Sequence, residues 1–265
     1  IAPVASSRES RYDKIDLYRL LFAMIICVYH FELVYYARTR YLNAGYIGVE
    51  FFFIVSGVFL MKSAVGVAKS PVAFAAARLR RLYPHYALSF AFFFGYTCLG
   101  NCPSIVNVGK RFVSSVLEVT LLQMAVPKYP ILNQPAWFLS ALLLSSVAIY
   151  TFASKFGRLF LRLAPVLACV VYLYFAWQCG NIHVWQETRV GGLRDGLLRA
   201  SAGVLIGCLC FSGYAHCSHW RLYRPLSLTA GRFLGWTEVV ANVVLMWLIF
   251  SYKDTLADFA MRSEE

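Results

Sequence analysis

Apolar residues come in long blocks along this chain, and short basic clusters separate the blocks. The blocks predict about seven helical spans, near residues 15–36, 46–64, 85–100, 135–154, 163–179, 196–213 and 234–251. At 1.5 Å rise per residue, about 20 mostly apolar residues cross a hydrocarbon core ~30 Å thick. The stretch 112–126 is shorter and contains Glu118 and Gln123. It reads as a buried or re-entrant helix rather than a full span. The pattern therefore predicts an all-α, polytopic transmembrane helix bundle. Residues 1–14, with Arg8, Arg11 and Lys14, read as a polar cytoplasmic lead; 15–251 form the transmembrane domain; 252–265 form a polar tail. Neither a repeat nor a soluble domain stands out.

Composition sharpens this reading. Only 14% of residues are charged and 60% are hydrophobic, where a soluble domain would carry about a quarter charged residues. The formal charge of +12 raises the question of nucleic acid. The basic residues do not form a patch interleaved with aromatics, so the expected partner is the lipid bilayer and not nucleic acid. They sit in short loops, where they act as orientation signals. Lys62, Lys69, Arg78, Arg80, Arg81, Lys155, Arg158, Arg162, Arg221, Arg224 and Arg232 fall on the side of the N-terminus. Arg38, Arg40, Lys110, Arg111, Lys128, Arg189 and Arg194 fall on the other. That excess predicts a cytoplasmic N-terminus. Cys27, Cys169, Cys208 and Cys210 lie within apolar runs, where cysteine serves as a small hydrophobe. No spacing of Cys and His suggests a metal site.

Ionisable side chains inside a span are expensive and mark functional paths. Arg19 and His30 lie in the first apolar block. Eleven residues at ~100° each bring a helix back to within about 20°, so the two share a face roughly 16 Å apart. Asp16, three residues before Arg19, suits a helix cap and an ion-pair partner. His85, His183, His216 and His219 fall at helix ends or in loops and read as interfacial. The second block contains Gly48-Val49-Glu50-Phe51-Phe52-Phe53-Ile54-Val55-Ser56-Gly57. Its small residues allow close helix contact, and Ser56 can hydrogen-bond within a membrane. Arg78 and Arg81 lie in the next cytoplasmic loop; on a helical turn, three apart, they would share a face, where two guanidinium forks suit a phosphate or serve as a topology anchor.

Taken in order, Arg19-x10-His30, the Gly48–Gly57 run and Arg78-x-x-Arg81-Leu82-x-Pro84 resemble the acyltransferase 3 family of integral-membrane O-acyltransferases. Trp137-Phe138-Leu139-Ser140 is similar to that family's Trp-x-Leu-Ser signature, and Arg199 before Gly203 and Gly207 to its late Arg-then-Gly span. Two positions depart from the pattern. Glu50 stands where aspartate is common, and Ala141-Leu142-Leu143 replaces a stretch that often carries a glutamate. Members usually have about ten spans, so the resemblance implies further spans beyond residue 251.

The resemblance implies transfer of an acyl group, acetyl in the first instance, from acetyl-CoA or another acyl-CoA to a hydroxyl of a cell-surface or lipid-linked saccharide. It implies no permanently bound cofactor and a place in the plasma (inner) membrane. His30 and Arg19 are the expected catalytic pair. Phe53, Ser56, Arg78, Arg81, Trp137, Ser140 and Arg199 are expected to meet substrates, with Asp16 and Gly57 as structural support. The residue chemistry agrees independently: an attacking alcohol needs a base near neutrality, and a tetrahedral oxyanion needs a cation or hydrogen-bond donor. Two rivals remain open, a transporter or acyl conduit without chemistry of its own and an inactive truncated scaffold.

Overall fold

A computed structural model of the chain describes residues 13–35, 42, 44–66, 69–101, 105–127, 129, 131–179, 187 and 190–219, with isolated positions between 236 and 247. The expected seventh span, the lead before residue 13, the tail and most of the loop 181–194 lie outside the described residues. Among those described, the regular structure is helical: α1 (Asp13–Tyr35), α2 (Gly48–Val65), α3 (Pro71–Asn101), α4 (Ile105–Ser114), α5 (Val116–Val119), α6 (Trp137–Cys179) and α7 (Asp195–His219). Short 3₁₀ turns precede α2, follow α5 and precede α6. Among the described residues, three segments are long and apolar enough to cross a membrane: Gly45–Val65, Gln134–Gln178 and Asp195–His216. The expected count of about seven is not confirmed among the described residues. The helices α1 and α3 are not among these three.

The expected spans 135–154 and 163–179 fall in α6, 43 residues in which two helices meet at a kink at Gly157. An unbroken helix of that length would reach about 65 Å, twice a hydrocarbon core. Gly157 has φ 23° and ψ −87°, a backbone state that a side chain disfavours. The basic cluster Lys155, Arg158 and Arg162 brackets that break.

Residues 112–126 do not form one helix. They comprise the end of α4, the single turn α5 and the 3₁₀ turn Gln123–Ala125. Glu118 organises the segment. Its Oε1 accepts the backbone N–H groups of Leu132 and Asn133, and its carbonyl accepts the Tyr86 hydroxyl at 2.6 Å. Burial pushes the carboxyl pKa up, and the two backbone N–H donors pull it back. Tyr86, Phe90, Leu121, Ala136 and Leu143 form an apolar core around this turn.

The chain divides into two compact units, Ile1–Phe52 with Cys217–Glu265, and Phe53–His216. In the first, α1 packs through Phe22, Ile26 and Tyr29, spaced as one helical face. Phe22 stacks on Phe51 with ring centres 4.6 Å apart. Ile26 meets Gly48, where an added Cβ would lie 3.0 Å from its Cγ1, and Tyr29 meets Gly45 even more closely. In the second unit α2 crosses α7 at Gly57 and Gly207. A Cβ on Gly57 would land on the Val204 carbonyl, and one on Gly207 on the Ile54 carbonyl. Cys208 Sγ donates to the Gly57 carbonyl at 3.5 Å. Gly57, expected as structural support, sits at this backbone crossing.

Candidate functional site

In the first unit, Arg19 and His30 lie on the flank of the packed face of α1. Arg19 Nη1 donates to Asp16 Oδ1 at 2.7 Å, and both side chains are partly exposed. His30 Nδ1 lies 2.8 Å from the Ile26 carbonyl, one turn back. A carbonyl can only accept, so this contact requires the proton on Nδ1 and leaves the Nε2 lone pair available. Half-buried His30 also meets the edge of buried Tyr29, with ring centres 5.5 Å apart. Two carboxylates are buried in the same unit, Glu32 and Glu50. Glu32 Oε2 accepts the Leu42 N–H at 2.9 Å and so anchors the chain that enters α2. Sequence reasoning gave Glu32 no role. Its only signal was a carboxylate two residues after His30.

In the second unit, Arg78 reaches α2 directly, while Arg199 stands over Trp137, whose ring meets α2 at Phe53. Arg78 Nη2 donates to Ser56 Oγ. Its guanidinium carbon lies 5.3 Å above the Phe74 ring, which stacks on Tyr150 at 4.0 Å and 2°. The Tyr150 hydroxyl holds both backbone groups of Lys69 at 3.0 Å. Arg78 Nη1 is buried without a partner. Burial, followed by repulsion from Arg81, lowers the Arg78 pKa to about 10, so the group remains a cation at neutral pH. Arg199, 1% exposed, lies 5.7 Å above the Trp137 ring. Trp137 in turn meets Phe53 edge-on at 6.3 Å. Phe53 and Ser56 are three apart on α2, so Phe53, Ser56, Trp137, Arg78 and Arg199 are gathered along one stretch of that helix.

Two expected site residues stand elsewhere. Arg81 does not join Arg78 at Ser56; it is exposed and lines a cleft beside α3. Ser140 is fully buried and doubly engaged. Its Oγ donates to the Leu121 carbonyl at 2.8 Å and accepts the Met124 N–H at 3.2 Å. Those bonds hold the 3₁₀ turn after α5 against α6. Sequence reasoning also missed Gly196, where a Cβ would lie 2.7 Å from Met124 Cε and 2.9 Å from the Trp137 ring. Trp137 can rest there only because residue 196 has no side chain. Among the described residues no cluster of His, Cys, Asp and Glu could hold a metal.

A helical chain with membrane-spanning segments and buried ionisable groups is a membrane protein whose interior is built for polar chemistry. The model of the acyltransferase 3 family, described as an acyltransferase domain, matches residues 12–259. The chain belongs to that family and is a membrane acyltransferase. No curated protein and no solved structure matches it.

Proposed function

We propose that the chain moves an acyl group, acetyl in the simplest case, from acyl-CoA to a saccharide hydroxyl. The saccharide belongs to the cell surface or is carried on a lipid. The protein lies in the plasma (inner) membrane with its N-terminus in the cytoplasm, where the donor is made available. The observation that carries the reading is the His30–Ile26 contact, which leaves Nε2 as a base.

The acceptor hydroxyl gives its proton to His30 Nε2 as its oxygen forms a bond to the thioester carbonyl carbon. The tetrahedral oxyanion needs a positive or hydrogen-bonding group, a role assigned to Arg19. Collapse breaks the carbon–sulfur bond, and the leaving thiolate takes from the imidazolium the proton that the acceptor gave up. Arg78 is assigned to the donor because its Nη1 is a buried, charged and unfilled hydrogen-bond donor. Phe53, Trp137 and Arg199 are assigned to the walls of the acyl and acceptor path. Ser56 is assigned to holding Arg78 in place.

The test is turnover of acetyl-CoA by purified protein with candidate glycans, in wild type and His30→Ala. Loss of the base should lower transfer by ~10²–10⁴-fold with folded yield unchanged. Near-normal turnover by the variant overturns the assignment of His30. Unaltered acyl passage without transfer would instead favour a conduit.

A further inference from the structure

Beside α3, in the second unit, lies an open cleft of about 330 Å³. Arg81, His85 and Ser89 of α3 follow one another at four-residue steps along it, over about 12 Å of helix. Asn133 closes the far end. Its Nδ2 donates to Ser89 Oγ at 2.9 Å, which leaves the Ser89 hydrogen free to donate. The remaining walls are mainly apolar, including Leu82 and Leu139. None of the described residues lining the cleft is acidic. Glu118, which stands behind Asn133, spends Oε1 on the Leu132 and Asn133 backbone. Beyond the cleft, α3 presents Leu88 and Phe92, 75% and 71% exposed.

We infer that this cleft is a binding site for an anionic phospholipid of the bilayer. The Arg81 guanidinium takes the phosphate through paired N–H donors, which suit a tetrahedral oxyanion. His85, one turn further, supplies a second contact to the head. The glycerol esters follow the polar line toward Ser89, which donates to an ester carbonyl. The acyl chains leave over Leu82 and Leu139 onto the exposed apolar face of α3. The cleft admits a glycerophosphate head and the first carbons of the chains, while the rest of the lipid remains in the bilayer. Basic pockets between membrane helices recognise lipid phosphates in this way, and each basic residue near the membrane surface contributes about a fivefold preference for anionic lipid. A free saccharide suits the cleft less well, because most of its wall would face sugar hydroxyls with carbon.

The site is independent of the donor reading, which rests on Arg78, and the experiment keeps the two apart. The full chain in a mild detergent is titrated with dioleoylphosphatidylglycerol or dioleoylphosphatidylcholine, and bound lipid is counted by native mass spectrometry. The phosphatidylglycerol adduct should exceed the phosphatidylcholine adduct by about fivefold or more, on the per-residue scale above. Arg81→Gln should abolish the preference, and Leu139→Trp, which fills the apolar wall and keeps the charge, should lower binding of both lipids. Arg81→Lys should retain most of the preference and covers the case in which Arg81→Gln fails to fold. Equal adducts of the two lipids in wild type, or an undiminished preference in Arg81→Gln, overturn the proposal. Displacement of bound lipid by free CoA also overturns it, because Arg81 would then serve the donor.

Discussion

The polar residues of α1 and those gathered around α6 solve different problems. On α1, Arg19 and His30 are held by contacts within their own helix, one to Asp16 three residues back and one to the Ile26 carbonyl four residues back. Around α6, Ser140 reaches backbone groups 19 and 16 residues away, and Arg199 lies over an indole from another helix. The first arrangement fixes the tautomer and orientation of His30 while leaving its Nε2 accessible. The second consumes hydrogen-bonding capacity to weld segments together. A polar residue in an apolar helix is therefore evidence of function only where part of its bonding capacity remains unspent. By that measure His30 and Arg78 qualify and Ser140 does not.

The largest effect expected on the welded side comes from the α2–α7 crossing. In Gly57→Val the new Cβ meets the Val204 carbonyl oxygen. Backbone cannot rotate aside as a side chain would, so the helices must part. Overpacking commonly costs ~1–3 kcal/mol, and the upper end is expected here. Monodisperse protein should be lost on size exclusion, or the thermal midpoint should fall steeply. A midpoint within a degree of wild type would mean that the two backbones do not approach this closely.

Ser140→Ala separates welding from substrate contact. The change strands a buried carbonyl and a buried N–H, which costs about 1–3 kcal/mol. Thermal stability should fall while turnover per folded molecule stays near wild type. The reverse pattern, intact stability with a selective rise in substrate KM, would return Ser140 to the binding site that the Trp-x-Leu-Ser resemblance implies.

These differences also explain which parts were legible in the sequence. The helical class, the shared face of Arg19 and His30 and the Asp16 partner follow from local periodicity, which a one-dimensional pattern carries. The joining of Arg78 to Ser56 spans 22 residues, and that of Trp137 to Arg199 spans 62, so neither spacing could reveal it. Arg78 and Arg81 looked alike because helical phase separates them by only ~60°; one nonetheless turns to Ser56 and the other to a cleft. Gly196 was missed, and Glu118 was read only as a mark against a full span, for the same reason: their importance lies in what packs against them. The break at Gly157 was partly readable, since two apolar blocks flank a basic cluster, yet the two helices meet at a kink on one glycine rather than through a loop.

The smallest effect belongs to Asp16, and it tests whether the locally held side of the comparison depends on that salt bridge. Asp16 is 62% exposed and Arg19 31%, so water and salt screen the pair, and exposed ion pairs contribute ~0.2–1 kcal/mol. Asp16→Asn keeps a hydrogen-bond acceptor for Arg19 Nη1 and removes the charge. Transfer should fall by less than about fivefold, the factor that 1 kcal/mol represents. The wild-type rate should show a salt-dependent component that Asp16→Asn lacks, because screening acts only where the charge is present. Measuring acyl transfer by both proteins between low and high ionic strength decides the point. A loss as large as that of His30→Ala would place Asp16 in the proton path and remove the distinction between a supporting carboxylate and a working base.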